Sequence, residues 1–271
     1  MSRHQQFYAT FVRLYDSLFP LQEATVEILN GQLRAVNARR VLDIGCGSGS
    51  LALALRARGY RVDGIDSSAA MIAVAVNKEH QHRCGETGRF VTATMQGLDR
   101  SADWPDASYD AVLCLGNTLA HAESGAAVKR VCAAVHRLLR PLGVFVVQGI
   151  DFDLVQQRAL RELPVIETKD YLLIRRYGGR SAAGLIPFHI SIVPRASSAP
   201  ERAFEATTAL YALGWDQLKR TLVETGFGRV ERSVSLLGTN EREGLELVMI
   251  AHAGAASRDK APPSGYNTFS E

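Results

Sequence analysis

From Val41 onward the chain alternates short apolar runs with longer amphipathic stretches. The runs near 41–45, 60–65, 88–93, 109–115 and 143–149 have strand length and little of the strict apolar/polar alternation of a strand with one wet face. They predict strands covered on both sides, hence a parallel sheet between layers of helix. Helices are predicted over 48–58, 68–79 and 123–139. In the last of these Val128, Val131, Val135 and Leu138 recur as one buried stripe. Arg140-Pro-Leu-Gly143 then ends it, since proline and glycine cannot continue a helix. Two more helices, about Phe7 to Leu18 and Leu21 to Val36, precede the first strand.

Beyond Asp153 the pattern changes. Tyr171–Tyr177, Leu185–Val193 and Arg202–Tyr211 are extended segments separated by Gly178-Gly179 and by the stretch from Pro194 to Pro200. Consecutive strands without helices predict an antiparallel meander. A helix beginning near Gly214 and closed by Gly226 follows, then strands near 228–236 and 245–251. From 253 to 271 periodicity is absent and a disordered tail is expected.

The first strand ends in Val41-Leu-Asp-Ile-Gly-Cys-Gly-Ser-Gly-Ser50. Glycine is used where a backbone takes positive φ or presses against a ligand. Three of them on alternate positions, Gly45, Gly47 and Gly49, make a binding loop that points at the start of the next helix. The dinucleotide pattern G-x-G-x-x-G needs glycine where Ser50 stands, so a nicotinamide enzyme is disfavoured. Roughly twenty residues beyond the first glycine a second strand ends in Asp66. A carboxylate there can accept both hydrogen bonds of a ribose diol, or cap the helix that follows.

The arrangement D-x-G-x-G-x-G resembles motif I of the class I S-adenosylmethionine-dependent methyltransferases. Gly64-Ile-Asp66-Ser67-Ser-Ala-Ala-Met71 is similar to that family's second segment. The resemblance covers about residues 7 to 252. It implies a Rossmann-like, mostly parallel seven-stranded sheet with helices on both faces, closed by an antiparallel hairpin and carrying an antiparallel β insertion at about 154–211. It also implies S-adenosyl-L-methionine as cofactor, with Asp43 near its methionine amino end, Asp66 on the ribose and Met71 on the adenine. The implied cofactor set further includes Gly45, Cys46, Gly47, Ser67, Thr94, Met95, Gln96, Leu115 and Tyr15. Thr94 departs from the family, which usually has an Asp there to accept from the adenine amino group; the Met95 backbone amide is then left to carry more of the recognition.

Cys114-Leu-Gly-Asn117-Thr-Leu-Ala-His121, after the fourth strand, resembles a segment of the glycine and sarcosine N-methyltransferases, as does Gln148-Gly-Ile-Asp-Phe-Asp153. Loops at the carboxyl ends of such strands face the ligand. Asn117 and His121 are therefore the catalytic candidates, His121 as a base or a ring that only bonds a neighbouring loop, Asn117 as a bridge to ligand or a turn stabiliser. Tyr8, Asn117 and Arg175 are the candidates for substrate binding. Arg175 and Arg176 point to opposite sides of their strand, so at most one enters the pocket. A guanidinium there favours a carboxylate. Tyr8 and Tyr15 share one helix face, which fits an apolar packing stripe somewhat better than a site.

Composition narrows the partners. A net charge of +3 over 271 residues gives no general pull on nucleic acid. With no apolar run of eighteen or more and no signal-like start, a soluble cytoplasmic chain is expected, binding neither nucleic acid nor membrane, with homo-oligomerisation left open. Cys46, Cys84, Cys114 and Cys132 are scattered, as for reduced thiols. His80, His82 and Cys84 lack a fourth ligand at metal spacing, so no metal is expected. The sequence leaves the acceptor atom open: an amine nitrogen is the first expectation. Oxygen or carbon in a natural-product pathway, or cofactor binding without transfer, are the alternatives.

Overall fold

In a computed structural model, residues 3–82, 87–99, 103–195, 203–236 and 244–254 are described, the side chains of 3–10 and 82 excepted. Helices α1 (Arg3–Leu18) and α2 (Glu23–Ala35) lead into β1 (Arg40–Ile44), α3 (Ser50–Arg56), β2 (Arg61–Asp66), α4 (Ala69–His82) and β3 (Phe90–Thr92). Then come β4 (Tyr109–Cys114), α5 (Gly125–Leu138), β5 (Leu139–Ile150) and α6 (Phe152–Gln157). Four strands follow: β6 (Glu162–Glu167), β7 (Tyr171–Tyr177), β8 (Leu185–Pro194) and β9 (Phe204–Tyr211). Helix α7 (Trp215–Glu224), β10 (Phe227–Arg232) and β11 (Glu246–Ala253) complete the described chain.

The main sheet has seven strands in the order β10-β11-β5-β4-β1-β2-β3. β1 to β5 are parallel, while β11 is antiparallel to both β5 and β10. Alternate residues of each strand feed two different cores. Leu42, Val112 and Phe145 meet Val128, Val131 and Val135 of α5 and Leu218 and Leu222 of α7. Val41, Leu113 and Val146 meet Val26, Leu29 and Leu33 of α2 and Leu55 of α3. This is the helix-covered sheet predicted from the apolar runs. The chain steps outward from β1 to β3 and then crosses back to β4, so the loops after β1 and β4 meet at a switch in strand order.

A second, four-stranded sheet in the order β6-β7-β8-β9 is the expected antiparallel meander, with one strand more than predicted. β6 escaped notice because Pro164 interrupts a short, mostly exposed edge strand. The six-residue α6 also went unpredicted; Asp151 caps it by accepting from the Asp153 amide at 3.2 Å. Helix α3 starts at Ser50 rather than 48, because Gly49 before it is left-handed at φ 78°. β5 begins at Leu139, not 143. Its register against β4 jumps from Tyr109↔Leu139 to Ala111↔Val144, so the Pro-Leu-Gly stretch is a bulge inside the strand. β11 extends one residue past the domain end expected at 252, and residues 255–271 of the predicted tail lie outside the described residues.

Candidate functional site

The glycine loop is fixed by backbone bonds to its neighbour strand. The amides of Gly45 and Cys46 both donate to the Ile65 carbonyl, at 2.8 and 2.9 Å. The Gly47 amide donates to Asp66 Oδ2 at 2.9 Å, and the Ser68 amide to Asp66 Oδ1 at 2.8 Å. Each carboxylate oxygen keeps a lone pair, so Asp66 still has two acceptor positions to offer. It does not cap α4; Ser68 does, accepting from the Met71 amide at 3.3 Å. Gly45 and Gly47 hold φ of 73° and 54°. A Cβ on Gly45 would strike Thr118, and one on Gly47 would lie 3.2 Å from the Tyr15 ring. The loop therefore tolerates no side chain at either position.

These elements border one cavity of about 640 Å³, within the usual range for small-molecule sites. Asp43, Gly45, Cys46 and Gly47 line it, as do Asp66, Ser67 and Met71 from the end of β2. Thr94, Met95 and Gln96 come from the turn after β3, Leu115, Asn117 and His121 from the loop after β4. Tyr15 enters from α1 and Arg175 from β7. The sequence-derived candidates thus converge on one space, apart from Tyr8, whose side chain lies outside the described residues.

The electrostatics of this wall are unusual. Asp43 is buried, and among the described residues no donor meets its carboxylate. Burial, with Asp66 close by, pushes its pKa up to about 7. Burial and the same two carboxylates raise the Tyr15 phenol to about 12, so it is neutral. His121 ends a 3₁₀ turn over Thr118–His121, open to the cavity. Desolvation by its surroundings lowers its pKa below the ordinary imidazole value against the pull of Asp66. The ring is therefore neutral at pH 7 and able to accept a proton.

Asn117 lines the cavity and also braces its loop. Its Oδ1 accepts from the Ile150 amide at 3.1 Å, and its own amide donates to the Gln148 carbonyl at 3.2 Å. With a left-handed φ of 65°, it braces the β4 loop against the end of β5, leaving only its amide NH₂ for the cavity. Gln148 of β5, unassigned in the sequence, braces the same loop, its Oε1 accepting from the Gly116 amide at 2.7 Å. The signal was a single polar residue inside the apolar run of β5.

A clasp joining α1, the glycine loop and α4 was also missed. Ser48 and Ser50 donate to Asp16 Oδ1 at 2.5 and 3.2 Å, and Lys78 Nζ lies 2.6 Å from Asp16 Oδ2. Lys78 also reaches the hydroxyls of Ser48 and Ser50 at 3.0 and 2.8 Å. Partial burial works against the Asp16 carboxylate, but the bonds from Lys78 and Ser48 outweigh it and hold the group below the usual range.

On β7 the alternation holds. Arg175 is buried on the cavity side, donating to the Pro164 carbonyl at 2.8 Å, while Arg176 faces away and pairs with Glu162 at 2.6 Å. Cys46, Cys114 and Cys132 are free thiols; Cys84 and the His82 side chain fall outside the described residues. Among the described residues no helix is long and apolar enough to cross a membrane.

Residues 41–143 match the methyltransferase domain family. The chain is 32% identical to glycine N-methyltransferase of Rattus norvegicus over 47% of its own length and 45% of that protein's. It is 39% identical to a ubiquinone biosynthesis O-methyltransferase of Pseudomonas aeruginosa (strain UCBPP-PA14), over 39% of this chain and 41% of the other. It thus spans less than half the length of these curated relatives. Its fold matches the crystal structure of an S-adenosylmethionine-dependent methyltransferase from Clostridium acetobutylicum ATCC 824. The TM-score is 0.74 at 15% identity, over 92% of this chain and 99% of that one. Residues 41–143 are thus similar to methyltransferase domains, and the fold of the chain is that of the S-adenosylmethionine-dependent methyltransferase from Clostridium acetobutylicum.

Proposed function

We propose that the protein methylates a small-molecule acceptor on an amine nitrogen, using S-adenosylmethionine. The observation that carries this reading is Asp43: a buried carboxylate without a donor among the described residues, beside a second carboxylate, at a loop where glycines leave room for a ligand. Such a site suits a ligand that brings its own positive charge and a ribose. Asp43 would hold the ammonium end and the free lone pairs of Asp66 the ribose diol. Met71 would pack on the adenine, with Thr94, Gln96 and the Met95 amide along its edge. Cys46, Ser67, Leu115 and Tyr15 would complete the walls. The bound cofactor supplies an electrophilic sulfonium methyl; the chain's residues have to align the acceptor, exclude water and manage one proton.

An amine acceptor must arrive neutral, and the neutral His121 ring is suited to take the proton that N-methylation releases. Arg175 would take a carboxylate on the acceptor. One domain to about residue 252, with 154–211 as the acceptor-side insertion, fits this division of labour. A hydroxyl acceptor is the second reading, favoured by the identity to the O-methyltransferase.

The test is transfer of labelled methyl from S-adenosylmethionine into fractionated small metabolites, with calorimetric cofactor binding on the same sample. A labelled product reports nitrogen or oxygen directly; absence of cofactor binding overturns the proposal. For His121→Ala we expect turnover to fall by about 10²-fold or more with cofactor affinity little changed. The acid limb of the wild-type rate should lie below the ordinary imidazole pKa, and should vanish in the variant. Unchanged turnover would return His121 to a structural role.

A further inference from the structure

The second sheet has two different faces. Along β9, Phe204, Ala206, Thr208 and Leu210 point inward, while Glu205, Thr207 and Ala209 are exposed. On β8, Ile186, Phe188, Ile190 and Ile192 point inward, and Pro187 and His189 outward. Register places Arg175 between Leu163 of β6 and Ile190 of β8, and Phe188 opposite Thr208. These five residues line the same cavity as the glycine loop. At its ends the inner face is buried: Ile186 and Ile192 are almost inaccessible. In the middle it is not; Phe188 and Ile190 stay half-buried although they point inward. Phe11 and Phe19 of α1 border the cavity as well.

We propose that the methyl acceptor carries an apolar body, an aromatic ring or branched aliphatic group, which rests on the half-covered middle of this face, and that Phe188 and Ile190 select it over a compact polar amine such as glycine. The inference rests on the methyl-transfer reading above and adds the class of acceptor. A small zwitterion would leave Phe188 and Ile190 wet, or lie against them with its own polar groups unpaired, and either is unfavourable. An apolar body covers both, while its charged end remains within reach of the guanidinium set into the same row. Continuity with the glycine-loop cavity means that such a molecule lies beside the cofactor rather than at a separate surface.

The experiment uses the full chain saturated with S-adenosylhomocysteine, whose binding is first measured by calorimetry. Glycine, L-leucine and L-phenylalanine are then titrated as probes. Leucine or phenylalanine should bind at least tenfold more tightly than glycine, on the scale by which apolar pockets discriminate. Phe188→Ser should remove most of that preference, and His189→Ser, on the outward face of the same strand, should leave it intact. Phe188 also stacks on Tyr177 at 5.3 Å between ring centroids. Ile190→Thr, which keeps the β-branch while adding a hydroxyl, therefore serves if the serine variant does not fold. Glycine binding as tightly as the apolar probes, no apolar probe binding at millimolar concentration, or a preference untouched by the Phe188 and Ile190 variants would each overturn the proposal. Failure to bind S-adenosylhomocysteine at all would instead overturn the methyl-transfer reading.

Discussion

Asp43→Asn should cost the protein most of its cofactor affinity while making the empty protein more stable at pH 8. The two effects share one cause. Burial and the neighbouring Asp66 raise the Asp43 pKa from 3.8 to about 7. The folded chain therefore holds a proton between those values that the unfolded chain has released. The stability this proton confers is complete below about pH 4 and is lost as pH rises through 7. Above 7 the fold carries a buried charge with no donor among the described residues. Asparagine is nearly the same shape and carries no charge at any pH. Calorimetric melting should show the variant several degrees more stable at pH 8, with the gap closing towards pH 4. Binding should move the other way. Removing one member of a buried charge pair costs about 2–5 kcal/mol, a loss of roughly 30-fold or more. Wild-type affinity should also rise with pH up to about 7 and then level off, because a cationic ligand draws out the Asp43 proton. An asparagine variant that binds S-adenosylmethionine as tightly as the wild type would remove Asp43 from the site.

Asp66→Ala is the second large effect, and its two parts can be separated. The carboxylate fastens the Gly47 and Ser68 amides, so its loss loosens both the glycine loop and the start of α4. That should lower stability by about 1–3 kcal/mol, as for amides left without an acceptor. Lost hydrogen bonds to the ribose should weaken the cofactor by about 1.5–3 kcal/mol as well. Comparing S-adenosylhomocysteine with its 2′-deoxy analogue isolates the second part. Wild type should prefer the hydroxylated ligand, and the alanine variant should scarcely distinguish them. Equal discrimination in both proteins would sink the ribose assignment while leaving the structural role standing.

Local features were legible in the sequence, and features assembled from distant segments were not. β1, β2, β4 and β5 announced themselves because strands covered on both faces need apolar residues at nearly every position. The cofactor side was readable because Asp43, Gly45, Gly47 and Asp66 lie within 24 residues and two adjacent strands. β6 was hidden by its proline and its exposure, and α6 by having six residues. The bond by which Asn117 braces its loop was not readable because its partner, the Ile150 amide, stands 33 residues away. The acceptor wall was illegible for a related reason. Alternation along β8 and β9 marks two faces, but only the register with β7 sets Arg175 beside Leu163 and Ile190.

The clasp of Asp16, Ser48, Ser50 and Lys78 makes helix α1 and the glycine loop a single latch, with its ion pair partly open to solvent. Dissolved salt shields the exposed part of that ion pair, so the hold of α1 on the glycine loop should weaken as ionic strength rises.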